Sequence, residues 1–478
     1  MAGLSAASLL AQSGVQLTLL EQNWIPGGCT TTYWRKGFWF ESGATTLVGL
    51  GEHMPLQAIL DRTGIQFSAQ KLATPMQVLL DGQLITRHEE LEAWIVEAER
   101  VFGTPGQAAF WRYCYRIANL VWRTSTKQLH FPPDKVADLW EMTTKFRLEQ
   151  LSAIPAAFTT MDRLLKRFGL SKNDRFCRFV DEQLLITAQN KANEVNVLFG
   201  ATALCYTNFP NWYVPGGLRN LVGPFVKFIE NKGGRILLKT VVTGIKKKEN
   251  GYLITTNQGN FEADLLISSI PLNNLARLWE DEPVKQKLQK YLLPAAKLNS
   301  AFQMGIGFKP HRQFDALHFQ LHLDSPLPQL SSASIFVSLH PTNDTERAPK
   351  GQMAASVSTH WPNPEKCRID DTRILEEAII NALESHNFLR RENVVYAHSS
   401  GPKSWEKWTG RQWGFVGGYP QYKHIKPWQM KSARLDGQGA YVCGDSSYPG
   451  QGIPGACLSG LIAFEKLAAD HQLWARVS

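Results

Sequence analysis

Small and apolar residues crowd positions 4–12, an Ala- and Leu-rich stretch that predicts a helix ended by Gly14 as a C′ residue. Residues 15–20 then alternate and close apolar, as a buried parallel strand does, with Glu21 at the C-terminal end. From 66 to 209 the spacing is mostly helical, with helices predicted over 91–102, 108–123 and 136–151. Gly216 and Gly217 open a helix to about Lys232. Strands follow over 235–239, 241–248, 252–256, 261–263 and 264–270, with a hairpin turn at Asn250-Gly251. Strands over 317–324, 334–339 and 353–359 then suit a mixed sheet that covers a ligand pocket, with the helical block of 66–209 on its other side. A short strand at 441–443 and a helix over 456–469 end the chain.

With 478 residues the chain is long enough for two to four units at roughly 100–200 residues each. Apolar residues make up 44% and charged ones 19%, below the usual charged share of about 25%, which excludes a disordered chain. A net charge of +9 is mild for this length. It suits an anionic surface such as a membrane leaflet better than a nucleic-acid groove, and no nucleic-acid partner is expected. Fifteen Trp and 24 Phe suit a chain that houses something flat and apolar, although aromatic residues more often simply fill a core. The seven cysteines, at 29, 114, 177, 205, 367, 443 and 457, are odd in number and never at C-x-x-C spacing. That pattern argues against a disulfide framework or zinc site and fits a reducing, cytoplasmic location. No stretch reaches the ~18 apolar residues of a spanning helix. The apolar start lacks the basic region of a signal peptide and is not read as one.

Several stretches carry two readings. Residues 161–168 mix Lys and Arg with Leu and Phe, which raises peripheral membrane contact; the commoner meaning is a helix with one core face. Lys246 to Lys248, beside a hairpin turn, read as a solvated edge. His318, His322 and Asp324 could present metal ligands on one strand face, but solvated alternation is the usual meaning and no metal is expected.

A helix followed by a strand ending in an acid is the second half of a βαβ dinucleotide unit. In such a unit the acid accepts from ribose hydroxyls about 20 residues beyond a G-x-G-x-x-G turn. Gly3 stands as the third glycine, where a missing Cβ allows close helix–strand packing. The first strand and first two glycines are absent. Met1 then reads as an internal methionine, with roughly 10 upstream residues missing. The segment alone also fits any α/β protein. At the other end, Gly444-Asp445 follows a strand and precedes the Gly/Pro-rich run Ser446 to Gly455, so a carboxylate and several free amides meet at one ligand.

With Gly27-Gly28, Phe40-Glu41-Ser42-Gly43, Pro215-Gly216-Gly217 and the 444–452 run in place, the chain resembles the flavin-dependent carotenoid desaturase and isomerase family. That family includes phytoene desaturases, carotenoid isomerases and retinol saturases. The likeness extends from Gly3 to about Ala468, strong at both ends and over 213–270. It implies FAD as cofactor and an α/β fold in which a Rossmann-like FAD-binding domain is interleaved with a mixed-sheet plus helical substrate domain. The cofactor domain would comprise 1–65, 210–275 and 430–478, and the substrate domain 66–209 and 276–429. The resemblance assigns cofactor contacts to Gly3, Glu21, Gly27, Gly28, the backbone of Val242, Gly444, Asp445, Gly452 and Ile453. It implies an apolar polyene or isoprenoid substrate, and a quinone or oxygen as electron acceptor.

No Ser/His/Asp set, H-E-x-x-H, P-loop or zinc spacing is present, so hydrolysis and phosphoryl transfer have no candidate residues. Flavin chemistry on a polyene needs an apolar tunnel more than an acid/base pair, and no catalytic side chain is named. Two other readings stay open. One is a flavin amine oxidase acting on a small polar substrate. The other is a non-catalytic isoprenoid-binding relative, of the kind seen in Rab GDP-dissociation inhibitors.

Overall fold

A computed structural model describes residues 1–328, 330, 332–366 and 372–473. The first helix, Ala2–Gln12, is buried along nearly its whole length and packs on the last, Gly452–Asp470. A Cβ at Gly460 would lie 2.4 Å from the carbonyl of Ala2, and one at Gly3 would lie 2.8 Å from Ser269 Oγ. Glycine therefore sets the approach of first helix to last helix, and of first helix to sheet. Thr18–Leu20 pairs in parallel with Arg235–Leu237, and Leu266–Ser268 in parallel with Ala440–Val442. Among the described residues these are two separate two-stranded ladders. Leu19, Leu20, Leu266 and Ile267 line one cavity. One apolar core joins residues from the first 65 positions, the helix Arg219–Asn231 and the C-terminal helix.

The second layer is a seven-stranded mixed sheet. Its order is Val394–Ser400, Asn299–Phe308, Met353–Pro362, Ser334–Ser338, His318–His322, Met76–Leu80, Gln83–Arg87. Phe302, Met304, Ile306, Val357 and Leu321 alternate onto one face and pack against the helix Arg373–Ser385. The other face turns toward a helical block built on Leu91–Phe102, Gln107–Ser125, Asp174–Ala188 and Val197–Leu204. Arg87 crosses that boundary fully buried. It donates to Gln183 Oε1 and the Leu204 carbonyl, each at 2.6 Å, and sits 4.2 Å from the Trp94 ring centre.

Three expectations change. The helix expected over 136–151 breaks into Val136–Thr144 and a 3-10 turn, Leu148–Ala153, because this stretch buries almost nothing and has no core face to hold it. The last helix begins at Gly452, earlier than 456, since Pro454 lies in its first turn, where a missing N–H costs no hydrogen bond. His318 and His322 are not solvated. Both are buried against the helical block, and burial pushes them down to about 4 and about 3, so both are neutral. No metal-binding group occurs among the described residues. Residues 161–168 follow the commoner reading, for Met161, Leu164 and Leu165 are core. The described cysteines are free, and Cys367 lies outside the described residues.

Candidate functional site

One cavity of about 2690 Å³ runs between the two layers. Ordinary small-molecule pockets occupy roughly 300–1,000 Å³, so this one has room for a dinucleotide and a second ligand. Gly3, Glu21, Gly27, Gly28, Val242, Gly444, Asp445, Gly452 and Ile453 all lie on its wall.

At one end the first helix points its N-terminus into the cavity. Met1 is its N-cap and no side chain caps its first turn. Uncapped amides at a helix N-terminus, with the helix dipole behind them, suit an anion. Gly27 and Gly28 hold φ of 104° and 60° beside it. A Cβ on Gly27 would stand 2.6 Å from the Thr30 carbonyl, so the turn closes only on glycine. Glu21 ends the strand Thr18–Leu20. Burial raises its carboxyl, while the Asn23 amide, 2.9 Å from Oε1, works the other way.

At the other end the C-terminal helix opens on the cavity at Gly452, again without a side-chain cap. Gly444, at φ 117°, donates its amide to Ser459 Oγ at 3.0 Å, and Ser447 Oγ donates to the Gly444 carbonyl at 3.0 Å. The turn is thereby pinned to the helix it precedes. The Asp445 carboxylate accepts from Arg411 Nη1 at 3.2 Å and Nη2 at 2.8 Å. Burial, the largest single influence, opposes the Arg411 charge, but Asp445 together with Cys29 and Tyr419 holds the guanidinium above its ordinary value. Cys29 lies in the same field. Burial pushes its thiol up against the pull of Arg411, so it is no thiolate nucleophile. Gly418 presses on Asp445 from the other side, where a Cβ would lie 2.7 Å from the Asp445 carbonyl.

Glu41, from the sequence motif Phe40-Glu41-Ser42-Gly43, binds no open space. It meets Arg347 at 2.7 Å, both side chains buried, and its backbone carbonyl accepts from Gln303 Nε2 at 2.7 Å. Burial raises its carboxyl to about 7 despite Arg347. Glu41 ties the strand Phe38–Glu41 to Arg347, to Gln303 of the sheet and to the Leu218 amide. The partnership of Arg411 with Asp445 has no local signal in the sequence. A partner 34 positions away is not visible without the fold.

The two uncapped helix ends and the Gly27 turn form a cradle of amides that a phosphate would fill, and they fit a flavin dinucleotide. Comparison with known proteins agrees. The chain matches the family described as flavin containing amine oxidoreductase over residues 1–466. It is similar to a chloroplastic prolycopene isomerase of an Oncidium hybrid cultivar, 24% identical over 98% of this chain and 82% of that protein. It is likewise 24% identical to a 4,4'-diapolycopene oxygenase of Methylomonas, over 99% of this chain and 97% of that protein. An oxidoreductase structure from Methanosarcina mazei shares the fold at a TM-score of 0.64 and 17% identity, covering 97% of this chain and 98% of that one. Glycine turns, helix ends and a whole-length match lead to one conclusion: the chain belongs to the flavin containing amine oxidoreductase family, with FAD as its cofactor.

Proposed function

We propose that the chain is an FAD-dependent oxidoreductase that desaturates, saturates or isomerises a long isoprenoid polyene. The observation that carries this reading is the continuity of the cavity. Its wall passes from the cofactor turns to an apolar surface formed by Val121, Trp122, Ile186, Leu198 and Phe199. The polyene-active relatives support the same substrate class.

In this reading the amides of the first helix turn, Gly3 among them, and of Gly27 and Gly28 hold the pyrophosphate. Glu21 accepts from the adenosine ribose and the Val242 backbone faces the adenine. Gly444 and Asp445 bind toward the ribityl end, and the amides of Gly452 and Ile453, with the helix dipole behind them, face the ring. In desaturation bound FAD would supply the electron-accepting ring and a quinone or oxygen would take the two electrons away; saturation would need a reductant to supply two electrons to the flavin, and isomerisation would leave none to remove. Segments 1–65, 210–275 and 430–478 make up the cofactor unit; 66–209 and 276–429 make up the substrate unit. The helix wall excludes water and orients the chain of the polyene, and no side-chain acid or base is assigned.

An apolar substrate of this size enters from a lipid phase, and a surface for that contact lies outside 161–168. Val136, Trp140, Leu148, Ile154 and Phe158 are exposed by 83%, 71%, 79%, 51% and 54%. They fall on one stretch that also carries Lys145 and Arg147. Lys145 pairs with Glu141 at 3.3 Å and Glu149 follows Arg147 in sequence, so it is the exposed apolar groups that fit a bilayer interface, and we assign peripheral membrane contact to this stretch. The helix Gly452–Asp470 has the length and hydropathy to cross a membrane but is 72% buried as a core helix.

The test is expression in a carotenoid-producing host. Altered polyenes, together with flavin absorbance in the purified protein, support the reading. A flavin-loaded protein that leaves every polyene unchanged and oxidises a small amine would replace it with the amine oxidase reading.

A further inference from the structure

The cavity has two unlike walls. Opposite the apolar helices stands the inner face of the seven-stranded sheet, and residues paired directly across strands share a face. Ser400 pairs with Gln303, Gln303 with Ser358, Ser358 with Phe336, and Phe336 with Gln320. All five line the cavity. This row crosses five adjacent strands, about 19 Å at the usual ~4.8 Å strand spacing, and four of its five side chains are polar.

Local architecture leaves Ser358, Ser400 and one end of Gln303 unconsumed. Among the described residues neither the Ser358 nor the Ser400 hydroxyl donates a hydrogen bond. Gln303 spends its Nε2 on the Glu41 carbonyl at 2.7 Å and offers its other amide atom elsewhere. Gln320, by contrast, is spent: its Oε1 accepts from Gln183 Nε2 at 2.5 Å, and its Nε2 donates to the Glu182 carbonyl at 3.0 Å and Ser334 Oγ at 3.3 Å. A hydrocarbon laid on this wall would strip water from hydroxyls and amides and return no hydrogen bond, a net loss.

The wall also lacks charge. His360, paired with Ala301 one row along, and His398 both line the cavity, and burial holds each at about 4, so both are neutral. No Lys, Arg, Asp or Glu stands in the row. A carboxylate ligand would want a cation here, and an ammonium would want an anion.

Resting on the polyene reading above, we infer that the substrate is a neutral, oxygenated polyene, bearing hydroxyl or carbonyl groups, whose apolar edge lies on the helices and whose oxygens meet Ser400, Gln303 and Ser358. An unoxygenated hydrocarbon satisfies only one of the two walls.

Two probes of equal polyene length decide it: zeaxanthin, with two hydroxyls, and β-carotene, with none. Each is titrated in detergent into the flavin-loaded protein, with quenching of Trp fluorescence as readout, Trp122 standing on the wall. Zeaxanthin should bind at least about tenfold more tightly. In Ser358→Ala/Ser400→Ala, a small change that fills no space, that preference should shrink severalfold while β-carotene binding holds or improves. Equal binding of the two polyenes, or a preference untouched by the double variant, overturns the inference and leaves the polyene reading standing. If neither polyene quenches a protein that retains flavin, the polyene reading fails and this inference with it.

Discussion

Arg411 grips Asp445 with two guanidinium nitrogens, at 3.2 and 2.8 Å, across a boundary between a loop and the turn before the last helix. The pair presents a fixed carboxylate to the cavity, not a mobile one. A carboxylate has more lone pairs than two contacts use, so Asp445 can still accept from a ligand hydroxyl.

From this follows a prediction about cofactor retention. Asp445→Ala should lower the flavin-to-protein absorbance ratio after dialysis, and Arg411→Leu should do so comparably by leaving Asp445 uncompensated and free to turn. Because each acts through the other, the double variant should lose less than the sum of the two single losses. Unchanged flavin content in Asp445→Ala would remove this residue from the cofactor contacts.

A second prediction concerns acid. Arg434 Nη1 meets Asp138 at 2.5 Å and its Nε meets Asp470 at 2.6 Å, while Lys466 meets Asp134 at 2.9 Å. Burial works to raise both Asp138 and Asp470, but hydrogen bonds from His130 and Arg434 hold the first well down, and Arg434, Lys135 and Tyr441 bring the second to about 2. A carboxyl whose folded value is depressed stabilises the fold above its unfolded value near ~3.9 and loses that contribution as pH falls toward the folded value. Thermal midpoints should therefore fall steeply below about pH 4. Arg434→Met should flatten that acid limb while lowering stability at neutral pH.

A third prediction is steric. Gly460→Val places carbon against the Ala2 carbonyl, where even a Cβ would sit at 2.4 Å, and overpacking of this kind costs about 1–3 kcal/mol or more. Denaturant midpoints should drop accordingly, and flavin should be lost with them because both helix ends move. A wild-type midpoint in Gly460→Val would mean that the two helices slide apart without penalty.

A fourth prediction addresses the lipid surface. Val136→Ser/Trp140→Ser removes two exposed apolar groups that contribute nothing to the core, so folding stability should hold within about 0.5 kcal/mol. Sedimentation with anionic phosphatidylserine vesicles should fall severalfold. Sedimentation equal to wild type would take this stretch out of membrane contact.

The ends of the chain were legible because their signals are local. A glycine pair, a strand ending in Glu21 and a strand-to-helix turn at Asp445 each complete themselves within a few residues. The middle resisted for the opposite reason. His318, Gln320 and His322 look on paper like one solvated face of a strand, and only a helical block contributed by residues 91–204 buries them. The break after Thr144 was equally hidden, because helical spacing over 136–151 does not reveal that no partner surface waits for it. Arg347 and Arg411 find their acids 306 and 34 positions away, separations that no motif spans.

The contact between Ala2–Gln12 and Gly452–Asp470 has a consequence in time. The helix Ala2–Gln12 is made long before Gly452–Asp470, on which it packs so closely that a Cβ at Gly460 would meet the Ala2 carbonyl. The core they share cannot close until Gly452–Asp470 has emerged, and until then its apolar surface stays uncovered. Any product cut short before Gly452 would carry Gly3, Gly27 and Gly28 on a core left open.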